Sequence, residues 1–124
     1  MNKITAVLKN IKSVDNLNLL EFEKNGNIIK VLILQININI KKGDKALLYI
    51  KPTKLFLNSQ KCEYENRLKV RVEEIQTGEI LSNAVCSFEN HTIEVLMLKE
   101  YVNFEKEAYM YFKSSDVTVE VLDD

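Results

Sequence analysis

The sequence repeats itself. Ala46-Leu47-Leu48-Tyr49-Ile50-Lys51-Pro52-Thr53-Lys54-Leu55-Phe56-Leu57 aligns with Ala108-Tyr109-Met110-Tyr111-Phe112-Lys113-Ser114-Ser115-Asp116-Val117-Thr118-Val119 at an offset of 62. Upstream, Ile29–Leu34 matches Ile93–Leu98 and Ile4–Ile11 matches Leu68–Ile75, both at an offset of 64. A drift of two residues is what a change of loop length between equivalent strands leaves behind. Two copies of about sixty residues therefore fill the 124-residue chain, and its fold must accommodate one unit twice. Residues 1–60 are expected to form the first copy and 61–124 the second, with the polar stretch Ser59 to Asn66 as connector.

Each copy reads as β. Gln35-Ile36-Asn37-Ile38-Asn39-Ile40 alternates polar and apolar, which sets three isoleucines on one face of an extended segment. Leu68 to Val72 and Val117 to Val121 alternate in the same way. Turn signals separate such runs: Lys24-Asn25-Gly26-Asn27, Lys42-Gly43-Asp44 and Gln76-Thr77-Gly78-Glu79. Leu96 to Glu107 has room for a helical turn. The expected class is all-β, as a barrel or sandwich. A sixty-residue β unit is marginal alone, whereas two can share a core or exchange strands and so remove exposed sheet edges. The Tyr109-Met110-Tyr111-Phe112 cluster is expected in the core or at a subunit interface.

Composition narrows the function. Hydrophobic residues make up 46% of the chain, enough for a core without disulfide or metal staples. The 17 basic and 18 acidic residues leave a net charge of −1, which argues against a nucleic-acid partner held through phosphates. Cys62 and Cys86 belong to no CxxC or Cys/His cluster and are expected to be reduced thiols. Lys9, Lys12 and Asp15 break the apolar stretches of the N-terminal region, and apolar runs are too short for a membrane span. A cytoplasmic protein without membrane insertion is expected. The single histidine, His91, sits beside Asn90 at an expected turn, where it reads as a solvated residue without a nucleophile partner. Glu73-Glu74 reads as solvated surface, so no catalytic constellation stands out and the chain does not read as an enzyme.

Each half resembles the molybdate-binding Mop module, also called the TOBE domain. The family opens on a strand close to Ile-Ser-Ala-Arg-Asn and closes on Ile-Lys-Ala-Ser before an alternating strand. Here the closing motif is Ile50-Lys51-Pro52-Thr53 in the first half and Phe112-Lys113-Ser114-Ser115 in the second. Gly43-Asp44-Lys45-Ala46 before the first motif also fits, while the opening Ser-x-Arg stands as Thr5-x-Val7 and Lys69-x-Arg71. The match spans nearly the whole chain in the molbindin-like tandem, or di-Mop, arrangement. This resemblance implies two OB-like small barrels that bind molybdate or tungstate for storage, buffering or sensing. It implies no organic cofactor, no metal beyond the oxyanion, and a homo-oligomer, trimer or dimer. Mop modules also serve as sensing domains of molybdate-transporter ATPases and transcription regulators, which is the alternative reading. An OB-like nucleic-acid module is a second alternative, carried by the barrel class and ten aromatic residues.

A tetrahedral dianion offers acceptors alone, so its site needs converging N–H groups, hydroxyls and cations. Lys113, Ser114 and Ser115 supply all three within one short stretch, and Lys51 and Thr53 hold the equivalent places. Thr5 offers a further hydroxyl, and Arg71 and Lys69 further cationic donors. Pro52 has no N–H to give, so the Lys113 site is expected to be the tighter of the two.

Overall fold

The computed structural model describes residues 1–34 and 39–122. Among these the chain forms ten strands and three single 3-10 turns, and no α-helix. The first six strands are β1 (Asn2–Val14), β2 (Leu17–Lys24), β3 (Asn27–Ile33), β4 (Lys45–Ile50), β5 (Phe56–Asn58) and β6 (Asn66–Thr77). The remaining four are β7 (Leu81–Phe88), β8 (His91–Leu98), β9 (Glu107–Phe112) and β10 (Val117–Val121). The architecture is all-β, two five-stranded sheets curled into OB-like small barrels.

The sheets do not follow chain order. One runs β10-β4-β1-β2-β3 and the other β5-β9-β6-β7-β8. Each therefore takes its last strand from the far side of the molecule: β10 pairs with β4, and β5 with β9. Without that exchange β4 and β9 would present unpaired edges, which the swap covers. Ladder registers reproduce the sequence offsets residue by residue. Asn2 opposes Ile50 as Asn66 opposes Phe112, and Phe22 opposes Ile29 as Cys86 opposes Ile93. Ile29–Leu34 and Ile93–Leu98 thus occupy corresponding places, largely within β3 and β8.

Local chemistry explains the turns. Asn25 and Gly26 both adopt positive φ, 48° and 85°, as a tight hairpin between twisted strands requires. Gly43, at φ 93°, lets the turn before β4 close on β1: its N–H donates to Leu8 O, and Leu8 N–H donates to Asp44 O. That contact lies at the bulge where the β1–β2 register shifts between Leu8 and Asn10. The equivalent bulge in β6 lies between Val72 and Glu74, with Val72 N–H donating to Lys106 O. The expected helical turn after Leu96 is the 3-10 turn Lys99–Tyr101, beyond the end of β8.

One continuous core runs between the sheets. Alternation in β4 buries Ala46, Leu48 and Ile50; β9 does the same with Ala108, Met110 and Phe112. Tyr111 is buried as well, its hydroxyl accepting from Cys62 N–H and donating to Gln60 O. The tyrosine-rich cluster is therefore largely core. Burial and nearby Glu73 push the Cys86 thiol up to about 11, and both cysteines are unbridged.

Two buried asparagines join the halves. Asn2 Nδ2 donates to Glu94 O and Glu94 N–H donates to Asn2 Oδ1, both at 2.8 Å. Asn66 treats Lys30 identically, at 2.8 and 2.7 Å. Each side chain thus imitates a β-ladder partner for a strand of the opposite sheet. A buried amide left unpaired costs about 1–3 kcal/mol, so these pairings decide whether Asn is tolerated there at all. The expected connector Ser59 to Asn66 needs correction on this point, because Asn66 opens β6 and is buried. The alternating run Gln35 to Ile38 lies outside the described residues. Asn39 and Ile40 are not strand, although Ile40 packs against the core.

Candidate functional site

After β4 and β9 the chain makes equivalent 3-10 turns, Pro52–Lys54 and Ser114–Asp116, and then crosses to the other sheet. The crossing decides which of the expected ligands meet. Lys51 lies not with Thr53 but with Ser115 of the other half, in a cleft of about 200 Å³ that also receives Lys54, Tyr49 and Thr118. Lys113 lies with Thr53 in a second cleft of about 250 Å³, walled by Phe56 and Tyr64. The two clefts are related by the repeat, since Lys51 corresponds to Lys113 and Ser115 to Thr53. Lys54 and Asp116, themselves equivalent positions, line both clefts.

The first cleft gathers the ammonium groups of Lys51 and Lys54 and the hydroxyls of Ser115 and Thr118, which can rotate toward a guest, while the Tyr49 hydroxyl donates to Glu120. Among the described residues Asp116 is the one carboxylate lining it. All four donor residues are exposed, so their side chains can adapt. The second cleft is more apolar. Phe56 stacks on Tyr111 with ring centroids 5.0 Å apart, and Tyr64 meets Phe56 edge-on at 5.3 Å.

Ser114 behaves differently from its neighbours. It is buried, and both its N–H and its hydroxyl donate to Glu65 Oε1, at 2.8 and 2.7 Å. Those two bonds hold the Glu65 carboxyl below its ordinary value, with Lys113 and Lys30 adding attraction. The N–H that Pro52 denies the first half is thus present at Ser114 but already engaged. Pro52 in the first half offers neither donor.

The remaining expected ligands lie outside both clefts. Thr5 lines a separate surface hollow with Lys9, Lys24 and Lys45, where Lys24 Nζ donates to its hydroxyl at 3.2 Å. Arg71 is held by two carboxylates, Glu73 at 3.3 Å and Glu107 at 3.2 Å. Lys69 is exposed on β6, opposite Tyr109. His91 is not the freely solvated turn residue expected. It opens β8, is half-buried, and its Nε2 lies 3.4 Å from Thr5 Oγ1. Burial first and Lys24 second lower its pKa, while Glu89 opposes them.

The sequence reading missed Lys54, Asp116 and Glu65. The first two carried a signal: they are the paired charged positions just past the closing motif in the aligned repeats. Glu65 carried none, because nothing in a linear reading places it against Ser114. Among the described residues no group of three or more His, Cys, Asp and Glu side chains could hold a metal ion. No helix among them is long and apolar enough to cross a membrane.

The architecture has a solved counterpart. A crystal structure of the cytoplasmic molybdate-binding protein ModG, with molybdate bound, superposes with a TM-score of 0.87. The alignment covers 98% of this chain and 96% of that one, at 16% sequence identity. The likeness is one of fold. No protein-family model matches the sequence, and no curated protein matches it either. The ModG-like fold accounts for the doubled barrel and the full length of the chain. At such identity the side chains at each cleft must argue for themselves.

Proposed function

We propose that this protein binds a tetrahedral oxyanion, molybdate or tungstate, in the clefts at the strand crossover, and catalyses nothing. The observation that carries the reading is the meeting of Lys51 and Lys54 with Ser115 and Thr118 across the exchanged strands. An ammonium is a compact charge with three donors, and hydroxyls complete a donor shell around an acceptor-only guest. The anion is held by hydrogen bonds and charge without metal–ligand bonds, so uptake is reversible. That a molybdate-binding protein shares the fold supports the choice of guest. The first cleft, with two lysines and two hydroxyls, is the stronger site. The second, where Lys113 and Thr53 join the shared Lys54 but Phe56 and Tyr64 wall the space with aromatic rings, is the weaker. This ranking reverses the expectation from Pro52, because Ser114 lines neither cleft and gives both its donors to Glu65.

In this reading the two repeats, 1–60 and 61–124, work as one cytoplasmic store, buffer or sensor, assembled as a homo-oligomer. Exposed apolar side chains at the hairpin ends, Ile80, Leu81, Leu98 and Tyr101, are the surfaces such assembly would cover. Calorimetric titration with molybdate, tungstate and sulfate, with native mass spectrometry for stoichiometry, tests the function. Saturable binding of the larger anions is expected. Protein that takes up none of the three at millimolar concentration refutes it.

A further inference from the structure

The second cleft carries aromatic rings that the first lacks. Phe56 lies on the short strand β5 opposite Tyr111, and the two rings stack 5.0 Å apart with 16° between their planes. Tyr64 stands across both at 85°, 5.3 Å from Phe56 and 5.8 Å from Tyr111. Tyr111 is buried, yet Phe56 keeps 46% of its surface exposed and Tyr64 40%. With one face of Phe56 on Tyr111, that exposure leaves ring surface open at the wall of the cleft. Lys113 and Lys54 line the same space, and among the described residues Asp116 is the one carboxylate that does so. Two ammonium groups against one carboxylate disfavour the cationic guests that aromatic walls otherwise attract. The charge asks for an anion and the rings ask for a flat apolar body.

The first half shows that the fold does not require these rings. Thr118 holds the place of Phe56, opposite Tyr49 as Phe56 is opposite Tyr111. Tyr64 has no counterpart, because an offset of 64 places it before Met1. The second cleft is also the roomier, about 250 Å³ against about 200 Å³.

We propose that the second cleft takes an aryl oxyanion, a flat ring that bears a phosphate or sulfonate group directly. The ring lies against Phe56 and Tyr64, and the tetrahedral group meets Lys113, Lys54 and the Thr53 hydroxyl. This rests on the reading of both clefts as anion sites and gives the second a guest class of its own. A bare dianion leaves the rings unused, which is why that cleft is the weaker for molybdate. A ring-bearing anion gains offset-stacked or edge-on contact as well, a gain of about tenfold or more in affinity.

The experiment is calorimetric titration of the full-length protein with phenyl phosphate, benzenesulfonate, inorganic phosphate, sulfate and phenol. Wild type is expected to bind an aryl anion about tenfold or more tighter than its ring-free counterpart and than phenol. Whichever aryl anion shows that preference identifies the anionic group. Phe56→Leu keeps an apolar side chain on β5 without the ring, and should bring the aryl anion down to the affinity of the bare one. Lys113→Ala should weaken the aryl anion about tenfold or more, whereas Lys12→Ala, an equal change of net charge outside both clefts, should not. Thr118→Phe sets a ring opposite Tyr49 in the same register and should create a second aryl site. No preference in wild type overturns the proposal, as does a preference that survives Phe56→Leu, or phenol bound as tightly as phenyl phosphate. If Phe56→Leu folds poorly, Tyr64→Leu, in the connector, carries the same test. Saturable molybdate binding without an aryl preference sinks this inference alone. Aryl anions bound by protein that takes up no molybdate would uphold it and refute the choice of guest above. Failure of every anion to bind sinks both readings.

Discussion

The two crossover clefts are built from equivalent positions and have diverged in chemistry. Lys51 and Lys113 hold the same place, yet one is followed by Pro52 and the other by Ser114, whose donors Glu65 engages. Around Thr5 the divergence goes further. Lys9, Lys24 and Lys45 of the first half correspond to Glu73, Phe88 and Glu107 of the second, so a cationic hollow faces a counterpart where Arg71 is tied between carboxylates. The core shows the opposite behaviour: Leu48 and Met110, Ile4 and Leu68, Ile29 and Ile93 all remain apolar and buried. Packing tolerates little change of volume or polarity, whereas a surface charge can be replaced at small cost. A duplicated β unit therefore keeps the two halves of its core alike and lets its two clefts drift apart.

The largest test of this comparison lies in the shared core. Leu48→Ala and Met110→Ala remove equivalent, fully buried side chains, and each should cost about 2–5 kcal/mol. Because β5 and β10 are exchanged, both variants should lower a single cooperative transition in calorimetry or denaturant melts. Two separate transitions, each sensitive to one variant, would show that the halves unfold independently.

Next in size are the asparagine clamps. Asn66→Ala strands the backbone N–H and C=O of Lys30, and Asn2→Ala does so at Glu94. Each should destabilise by about 1–3 kcal/mol in urea unfolding. Losses of a few tenths for both would mean that water replaces the side chains without penalty.

Binding sharpens the contrast between clefts. On the proposed reading, Lys51→Ala should weaken molybdate binding at the first cleft by about ten- to a hundredfold, the loss of one charged donor. Lys113→Ala in the wild-type background should change total uptake less. Equal effects from the two substitutions, read by titration, would erase the proposed ranking.

The smallest effects concern pH. The Glu65 carboxyl lies below its ordinary range in the folded protein, held there first by Ser114. Folding then gains from its ionised form above the ordinary carboxylate range, and that gain is lost as pH falls through the depressed folded value. Glu65→Gln should flatten this acid limb of the melting temperature. His91 is also depressed in the folded state, by burial and Lys24. Below its ordinary value of about 6.5 the unfolded chain binds the extra proton more readily, so stability declines as pH drops from there. His91→Asn, which restores the residue found at the equivalent Asn27, should remove that part of the decline. A melting profile identical to wild type between pH 5 and 8 would deny His91 any such role.

What the sequence determined by itself was the repeated β unit. Alternation in Leu68 to Val72 and Val117 to Val121, the Asn25-Gly26 turn and the offsets of 62 and 64 are local or self-referential signals. Side-chain period and turn conformation depend on near neighbours, so a linear reading captures them. Which residues meet at the site was decided by tertiary structure. Strand exchange sends Ser115 to Lys51 and Thr53 to Lys113, and the fold of the connector sets Glu65 against Ser114. The amide pairs of Asn2 with Glu94 and Asn66 with Lys30, 92 and 36 positions apart, are likewise invisible along the chain. Such contacts depend on how two sheets lie against each other, and the pattern within any one strand carries no information about its distant partner.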